Sequence, residues 1–350
     1  MNEEILKEYV CTTPFTYMEA HRDAVYSCCP SWLPNKLSTL ENIKDAWTGD
    51  TLNEIKKSII DGNYKYCSKT QCPYLSSLLI TKKIPQGFVK KENFNINKYK
   101  DGPQHINFAF DRSCNLSCPS CRTNLIMANG KEIEFIDEQI ENICNLYGKT
   151  LTLFYLSGSS DPLASKSLRK FLINFDRNKF PKLKNIHLHT NGLLLDEKLW
   201  NSLSHIHDLI KTIEISIDAS TSQTYSIVRR GGDWDVLMKN LQFISECNSI
   251  KKVRTSFVVQ DTNYTEMENF YILMNKILKQ KCEVFFGKIT NWGTYSDGEF
   301  LLKQIWNENH PEYKVFLKEL SKVCHNLLCV HNMHDIVEKH RLQKKLVKIL

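Results

Sequence analysis

Three cysteines, Cys114, Cys118 and Cys121, sit in the run Asp111-Arg112-Ser113-Cys114-Asn115-Leu116-Ser117-Cys118-Pro119-Ser120-Cys121, spaced C-x3-C-x2-C. Thiolates are soft ligands that hold iron–sulfur clusters, and a four-iron cluster normally takes four of them. Three with no fourth nearby leave one iron open to a small molecule. The same three thiols also suit a zinc site completed by a remote Cys or His, or burial as free thiols. The motif follows an alternating apolar run, Ile106 to Phe110, that reads as a strand.

The elements around the motif repeat. From His105 onward, strand patterns at His105–Phe110, Thr150–Ser157, Asn185–Thr190, Thr212–Ile217, Lys252–Val259 and Cys282–Ile289 alternate with helical patterns. The helices are Asp137–Leu146, Ser165–Phe175, Leu195–Leu203, Val236–Cys247 and Thr265–Leu278, each with apolar residues three and four apart. Such βα repeats imply a parallel sheet with right-handed crossovers. The expected fold is therefore an α/β partial (β/α)6 TIM-like barrel, with its active site at the carboxyl ends of the strands. Polar residues at period two share a face of a strand: His187, His189 and Asn191; Glu214, Ser216 and Asp218; Arg254, Ser256 and Gln260. A parallel sheet wrapped by helices is apolar on both faces, so polar faces on three successive strands predict an interior that holds a polar ligand. Mutual satisfaction inside the barrel is the other reading, and weighs most for Glu214 and His187.

With its neighbours in place, the cysteine motif resembles that of the radical SAM enzymes, although Ser120 stands where that family usually has an aromatic residue beside the adenine. The resemblance implies that Cys114, Cys118 and Cys121 hold a [4Fe–4S] cluster whose open iron chelates S-adenosylmethionine (SAM). Cleavage of SAM to a 5′-deoxyadenosyl radical and hydrogen abstraction from a substrate follow from it. Ser157-Gly158-Ser159-Ser160-Asp161-Pro162 resembles the family's Gly-Gly-Glu-Pro element, which assigns Gly158, Ser159 and Asp161 to the SAM amino group. By the same resemblance Asn191, in Thr190-Asn191-Gly192, and Ser216 and Asp218 contact SAM. Arg229, in Arg229-Arg230-Gly231-Gly232, suits a bidentate grip on the SAM carboxylate, and Gln260 lines the adenine. These elements follow in the family's order.

The first hundred residues differ. Five cysteines, Cys11, Cys28, Cys29, Cys67 and Cys72, lie in loop-rich sequence around a helical piece, Leu40–Ser58. Too little apolar sequence is present for a separate core, so a metal staple is expected; spacing does not choose zinc or iron–sulfur. The runs Cys28-Cys29-Pro30-Ser31-Trp32 and Asp61-Gly62-Asn63-Tyr64-Lys65-Tyr66-Cys67 resemble the SPASM domain, an auxiliary iron–sulfur module. That resemblance implies a second [4Fe–4S] cluster on Cys11, Cys28, Cys67 and Cys72, with Cys29 the competitor of Cys28. The expected domains are 1–78 (auxiliary), 79–103 (connector), 104–294 (barrel) and 295–350 (helical extension).

Bulk properties narrow the class. A chain of 350 residues with 42% apolar and 24% charged residues reads as a soluble globular protein. No apolar run approaches the ~18 residues of a membrane span, and Met1–Ile5 lacks the features of a signal peptide. The expected compartment is the cytoplasm, where thirteen cysteines argue for metal or redox chemistry over disulfides. A net charge of +7, much of it in Glu338–Leu350, reads as a solvated helix face, and no nucleic-acid partner is expected.

The substrate is expected to be a small molecule, a sugar or glycan, undergoing epimerisation or dehydrogenation, with flavodoxin or ferredoxin as reductant. The alternative is a SPASM-type modifier of peptides; a metal-stapled binding protein leaves the ordered SAM elements unexplained. Trp292, after the sixth strand, together with His189 and Arg254, is a substrate candidate. Cys282, Cys324 and Cys329 are the candidate hydrogen-atom donors for an epimerase.

Overall fold

The computed structural model describes residues 3–156, 158, 160–324 and 329–340. It divides into two compact units, the first made of residues 1–112, 128–160 and 165–186 and the second of 113–127, 161–164 and 187–350. Among the described residues no helix is long and apolar enough to cross a membrane.

The first unit carries β1 (Tyr9–Cys11), β2 (Tyr17–Ala20), β3 (Val25–Tyr26), β4 (Phe88–Lys90), β5 (His105–Phe108) and β6 (Leu153–Leu156). β1 pairs antiparallel with β4, Tyr9 opposite Lys90. β5 runs parallel to β6, and β2 adds a further parallel strand to β5, Tyr17 opposite His105 and Ala20 opposite Phe108. β3 closes that edge antiparallel to β2. The helix Gly130–Tyr147 turns Ile136, Ile140 and Ile143 inward, and Lys166–Ile173 begins at Ser165, whose Oγ accepts from the Leu168 amide. Phe154 on β6 meets the rings of Phe108, Phe171, Phe175 and Phe180, which ties the strands to this helical layer.

Three sequence expectations change here. The first 78 residues do not stand apart as a module, because β2 and β3 extend the sheet begun by β5. Nor do they lack a core. Leu6, Val10, Phe15, Leu33, Ile55, Ile59, Tyr64 and Leu75 are buried together with Phe88, and Phe94 and Tyr99 pack against them. Ten of the twelve buried residues of this core lie within residues 1–78, and the supposed connector adds Leu79 and Phe88. The helical piece is also broken, into Ile43–Ala46 and Asp50–Ile60.

β7 (Asn185–Thr190) begins in the first unit, and its last four residues belong to the second. The second unit continues with β8 (Thr212–Ser216), β9 (Lys252–Val259), β10 (Cys282–Lys288) and β11 (Cys329–His331). These run parallel, in the order β7-β8-β9-β10-β11, with Leu188 opposite Ile213, Glu214 opposite Arg254, and Arg254 opposite Glu283. Apolar and polar residues alternate along them, so Leu188, Ile213, Ile215, Val253 and Val284 turn one way, fully buried. Phe257, Phe270 and Phe286 interlock β9, the helix Met267–Leu278 and β10. The six predicted strands are present as β5 to β10, which makes the fold a mixed α/β structure with parallel strands, as the partial barrel requires. β11 is unexpected: the C-terminal segment adds a strand as well as the helices Tyr313–Val323 and His334–His340.

Candidate active site

The cysteine motif is folded back on itself at both ends. The Cys114 amide donates to the Ile126 carbonyl at 2.9 Å, and the amides of Cys121 and Arg122 both donate to the Cys118 carbonyl. That turn brings three thiols close enough to act on one another: Cys114 feels Cys118, and Cys118 feels Cys121. Burial pushes the Cys114 thiol up to about 11. Burial raises Cys118 as well, while the Arg229 guanidinium pulls it the other way.

Strand ends hold the motif in place. Asn191, just past β7, donates through Nδ2 to Asn115 Oδ1 at 2.8 Å and approaches Cys114 Sγ at 3.8 Å. Asp218, just past β8, pairs with Arg229 at 2.7 Å and accepts from the Val258 amide, while Arg229 Nη1 lies 3.8 Å from Cys118 Sγ. Arg230 latches the same loop, donating to Ser117 Oγ and to the Thr123 carbonyl. Buried Asn263 completes the frame, donating to the carbonyls of Asp218 and Val258 and accepting from the Gln260 amide.

Asp161 is placed differently from its expected role. It is 2% exposed, and its carboxylate accepts from the amides of Leu163, Ala164 and Asn191 and from Thr190 Oγ1. Four donors occupy the acceptor sites of a carboxylate, so Asp161 ties β7 to its own loop instead of presenting an oxygen to a ligand. Gly158, in the first unit, has φ +100°, and a Cβ there would stand 2.7 Å from that of Ala109; Ser159 lies outside the described residues.

The polar residues of β7 to β10 form one continuous face. His189 is hydrogen-bonded to Ser216 at 2.7 Å, and His187 lies 3.3 Å from Glu214, which also accepts from Ser256. Arg254 donates to Glu283 at 2.6 Å. Burial pushes the Glu214 carboxyl up, but His189, His187 and Ser256 outweigh it and hold the group well below the usual carboxylate range. Burial lowers His189, which keeps the imidazole neutral near pH 7. Glu283 escaped the sequence reading, although its place between Cys282 and Val284 in an alternating strand marks it as the next member of the face.

A small cavity of about 170 Å³ opens beside the motif, lined by Pro119, Ser120, Ile227, Val228, Gln260, Thr262, Tyr295 and Lys303. Tyr295, also missed, faces the same space as Ser120, the position that lacks an aromatic ring. Trp292 is 60% exposed. Cys282 opens β10, and its Sγ lies 4.0 Å from Thr255 Oγ1 on the fully buried side of the sheet. It is thus at the amino end of the strand, about 20 Å from the other end at 3.3 Å per residue, and does not reach the site. Cys324 follows the helix Tyr313–Val323, and its Sγ turns back to the Ser321 carbonyl. Cys329 begins β11, and its side chain lies outside the description.

In the first unit, Cys28 interacts with Cys11, Cys72 and Cys67, and all four pack against the N-terminal core. Cys29 is felt by Glu19 and weakly by Cys72, and takes no part in that packing. Burial raises Cys11 to about 11 and Cys67 to about 12. Trp32 Nε1 donates to Cys28 Sγ at 3.0 Å.

Both thiol groups suit an iron–sulfur cluster in donor chemistry, all sulfur, with Cys118 buried and the other thiols half-buried. Among the described residues, no three His, Cys, Asp or Glu side chains are grouped to hold a single metal ion. Among the described residues, the buried Arg229 Nε and Tyr225 hydroxyl beside Cys118 have no hydrogen-bond partner. An orphaned guanidinium N–H is costly to bury, and an anionic group of a bound molecule would satisfy it.

Residues 110–274 match the family model of the Radical SAM superfamily. Among curated proteins, the chain is similar to molybdenum cofactor biosynthesis protein 1 of Dictyostelium discoideum, 21% identical over 287 residues. The match covers 79% of this chain and 44% of that protein. It is also similar to GTP 3′,8-cyclase of Clostridium perfringens (strain SM101 / Type A), 25% identical over 174 residues, which are 49% of this chain and 51% of that protein. The chain thus spans about half the length of the curated relatives it matches, and neither is named for a sugar or a peptide. Among solved structures it resembles anSMEcpe with bound AdoMet and Cp18Cys peptide, at a TM-score of 0.45 and 19% identity over 62% of this chain and 58% of that one. TYW1 with a lysine-pyruvate adduct gives 0.38 and 16%, over 66% and 78%.

Proposed function

We propose, for a chain that belongs to the radical SAM superfamily through its residues 110–274, that it cleaves SAM reductively and removes a hydrogen atom from a small hydroxylated molecule. Cys114, Cys118 and Cys121 would hold the [4Fe–4S] cluster. When bound, that cluster supplies the electron that opens the SAM sulfonium, and a flavodoxin or ferredoxin is the reductant we expect. Asn191 and the Asp218–Arg229 pair orient the ligand beside the thiols, with Arg229 Nε directed to its carboxylate. The cavity between Ser120, Gln260 and Tyr295 suits a flat heteroaromatic ring, with Tyr295 providing the aromatic surface. Ser216 and Gln260 remain ligand contacts in this reading, and Asp161 and Gly158 shape the loops.

The observation that carries the substrate class is the pairing of charge on the face of β7 to β10. Lys252 and Arg254 share Glu283, Arg254 also lies 3.9 Å from Glu214, and His189 is kept neutral. Among the described residues each lysine and arginine of this face is paired with a carboxylate, which favours neutral donors and acceptors over a polyphosphate. A sugar, or the sugar part of a nucleoside, fits it, with His189 and Arg254 as contacts and Trp292 at the entrance. Removal of hydrogen from a carbinol carbon then leads to epimerisation or dehydrogenation. Cys11, Cys28, Cys67 and Cys72 would hold a second [4Fe–4S] cluster, an acceptor for the substrate electron in a dehydrogenation.

Anaerobic reconstitution with iron and sulfide tests the reading, followed by chromatography of SAM products in the presence of deuterated sugars, nucleosides or peptides. About eight irons per chain, and deuterium carried into 5′-deoxyadenosine from a sugar or nucleoside, are expected. Transfer from a peptide instead would overturn the substrate class, and absence of SAM cleavage would overturn the function.

A further inference from the structure

Arg122 directly follows the third cysteine and belongs to no element that the reading above uses. It is 6% exposed, and its Nη2 lies 3.5 Å from Cys121 Sγ. The turn that closes the motif fixes it there, since its own amide donates to the Cys118 carbonyl at 3.0 Å. Its charge is felt at Cys114 and Cys118 as well as Cys121. Arg229, a second guanidinium of the site, lies 3.8 Å from Cys118 Sγ and pairs with Asp218. Arg122 thus holds a guanidinium N–H against Cys121 from within the motif itself.

A cluster gains one negative charge when it is reduced, and its potential depends on net charge and on hydrogen bonds to sulfur. A fixed positive charge with an N–H aimed at a ligand sulfur favours the reduced form. We propose that Arg122 is a positioning and electrostatic residue that sets the reduction potential of the cluster held by Cys114, Cys118 and Cys121. The inference rests on the assignment of that cluster made under the proposed function.

The test compares the full-length wild type with Arg122→Gln and Arg122→Lys, each reconstituted anaerobically and titrated with dithionite. Electron paramagnetic resonance follows the signal that changes when SAM is added, which separates this cluster from any other. Arg122→Gln is expected to lower the reduced-to-oxidised ratio at fixed potential at least tenfold, about 59 mV for one electron, while Arg122→Lys stays within threefold of wild type. A loaded Gln variant with an unshifted midpoint overturns the proposal. If the Gln variant fails to load, loading of the Lys variant at the wild-type potential supports a role for the charge, and failure of both overturns it. A wild type without a SAM-responsive signal would instead overturn the cluster assignment, and the proposal with it.

Discussion

Asp218 and Arg229 form a buried ion pair, Oδ2 to Nη2 at 2.7 Å, at the carboxyl end of β8. Asp218 is held in the left-handed region at φ 63° while it does so. Removing one member of a buried pair strands the other, at a cost of roughly 3–5 kcal/mol. Asp218→Asn keeps the shape and tolerates the left-handed backbone, so it isolates the charge. We expect it to lose about 3 kcal/mol in urea unfolding, and Asp218→Ala to lose about 1 kcal/mol more from backbone strain. Equal losses in the two variants would show that the left-handed backbone adds no strain of its own.

The N-terminal thiols give a second prediction. Cys28 lies among Cys11, Cys67 and Cys72, and Cys29 does not. Cys28→Ser is expected to drop the iron content by about four per chain, with Cys29→Ser unchanged. Cys118→Ala should abolish SAM cleavage while the N-terminal centre still assembles. Iron loss in Cys29→Ser would exchange the two assignments.

Acid should weaken the fold in two stages. His189 is lowered by burial, so the unfolded chain takes up its proton first, and stability falls as pH drops below about 6.5. Glu214 is held below the usual range. Its contribution is present above an unfolded value of about 4.3 and is lost as pH falls through the folded value. His189→Gln should flatten the upper stage and leave part of the lower one. Denaturant midpoints measured from about pH 7.5 to about pH 2 check this, and an unchanged profile in the variant would contradict it.

Gly158→Ala should be costly at a position that is itself exposed. The left-handed φ adds about 1–2 kcal/mol, and the new Cβ meets Ala109 at 2.7 Å. The expected result is a lower melting temperature by calorimetry. A wild-type value would show that the Ala109 contact relaxes without cost.

Much of this was legible because its signals are local. The cysteine spacing, the six alternating strands and the order of the loops between them lie in short windows, and all six strands are reproduced within a few residues. Sites built from distant residues were not legible in that way. Asp161 reads as a ligand contact in its loop, yet donors from Thr190 and Asn191 occupy it once β7 is beside it. Cys282 carries no mark of facing the buried side of β10, since a one-residue change of phase reverses every side chain of a strand. The short strands β2, β3 and β11 exist through pairing with β5, β2 and β10 respectively, not through their own propensity.

The sequence by itself determined the class of chemistry: three closely spaced thiols followed by βα repeats, a polar period-two face, and a cysteine-rich beginning. Residue type and spacing are enough for that, because ligand softness and strand alternation are local properties. Only the tertiary structure decided which groups act together. It set Cys28 among the N-terminal thiols, matched Arg254 with Glu283, brought Tyr295 to the cavity beside Ser120, and laid Arg122 against Cys121. Those relations depend on distance and burial across the fold, and electrostatic and hydrogen-bond energies follow distance in space.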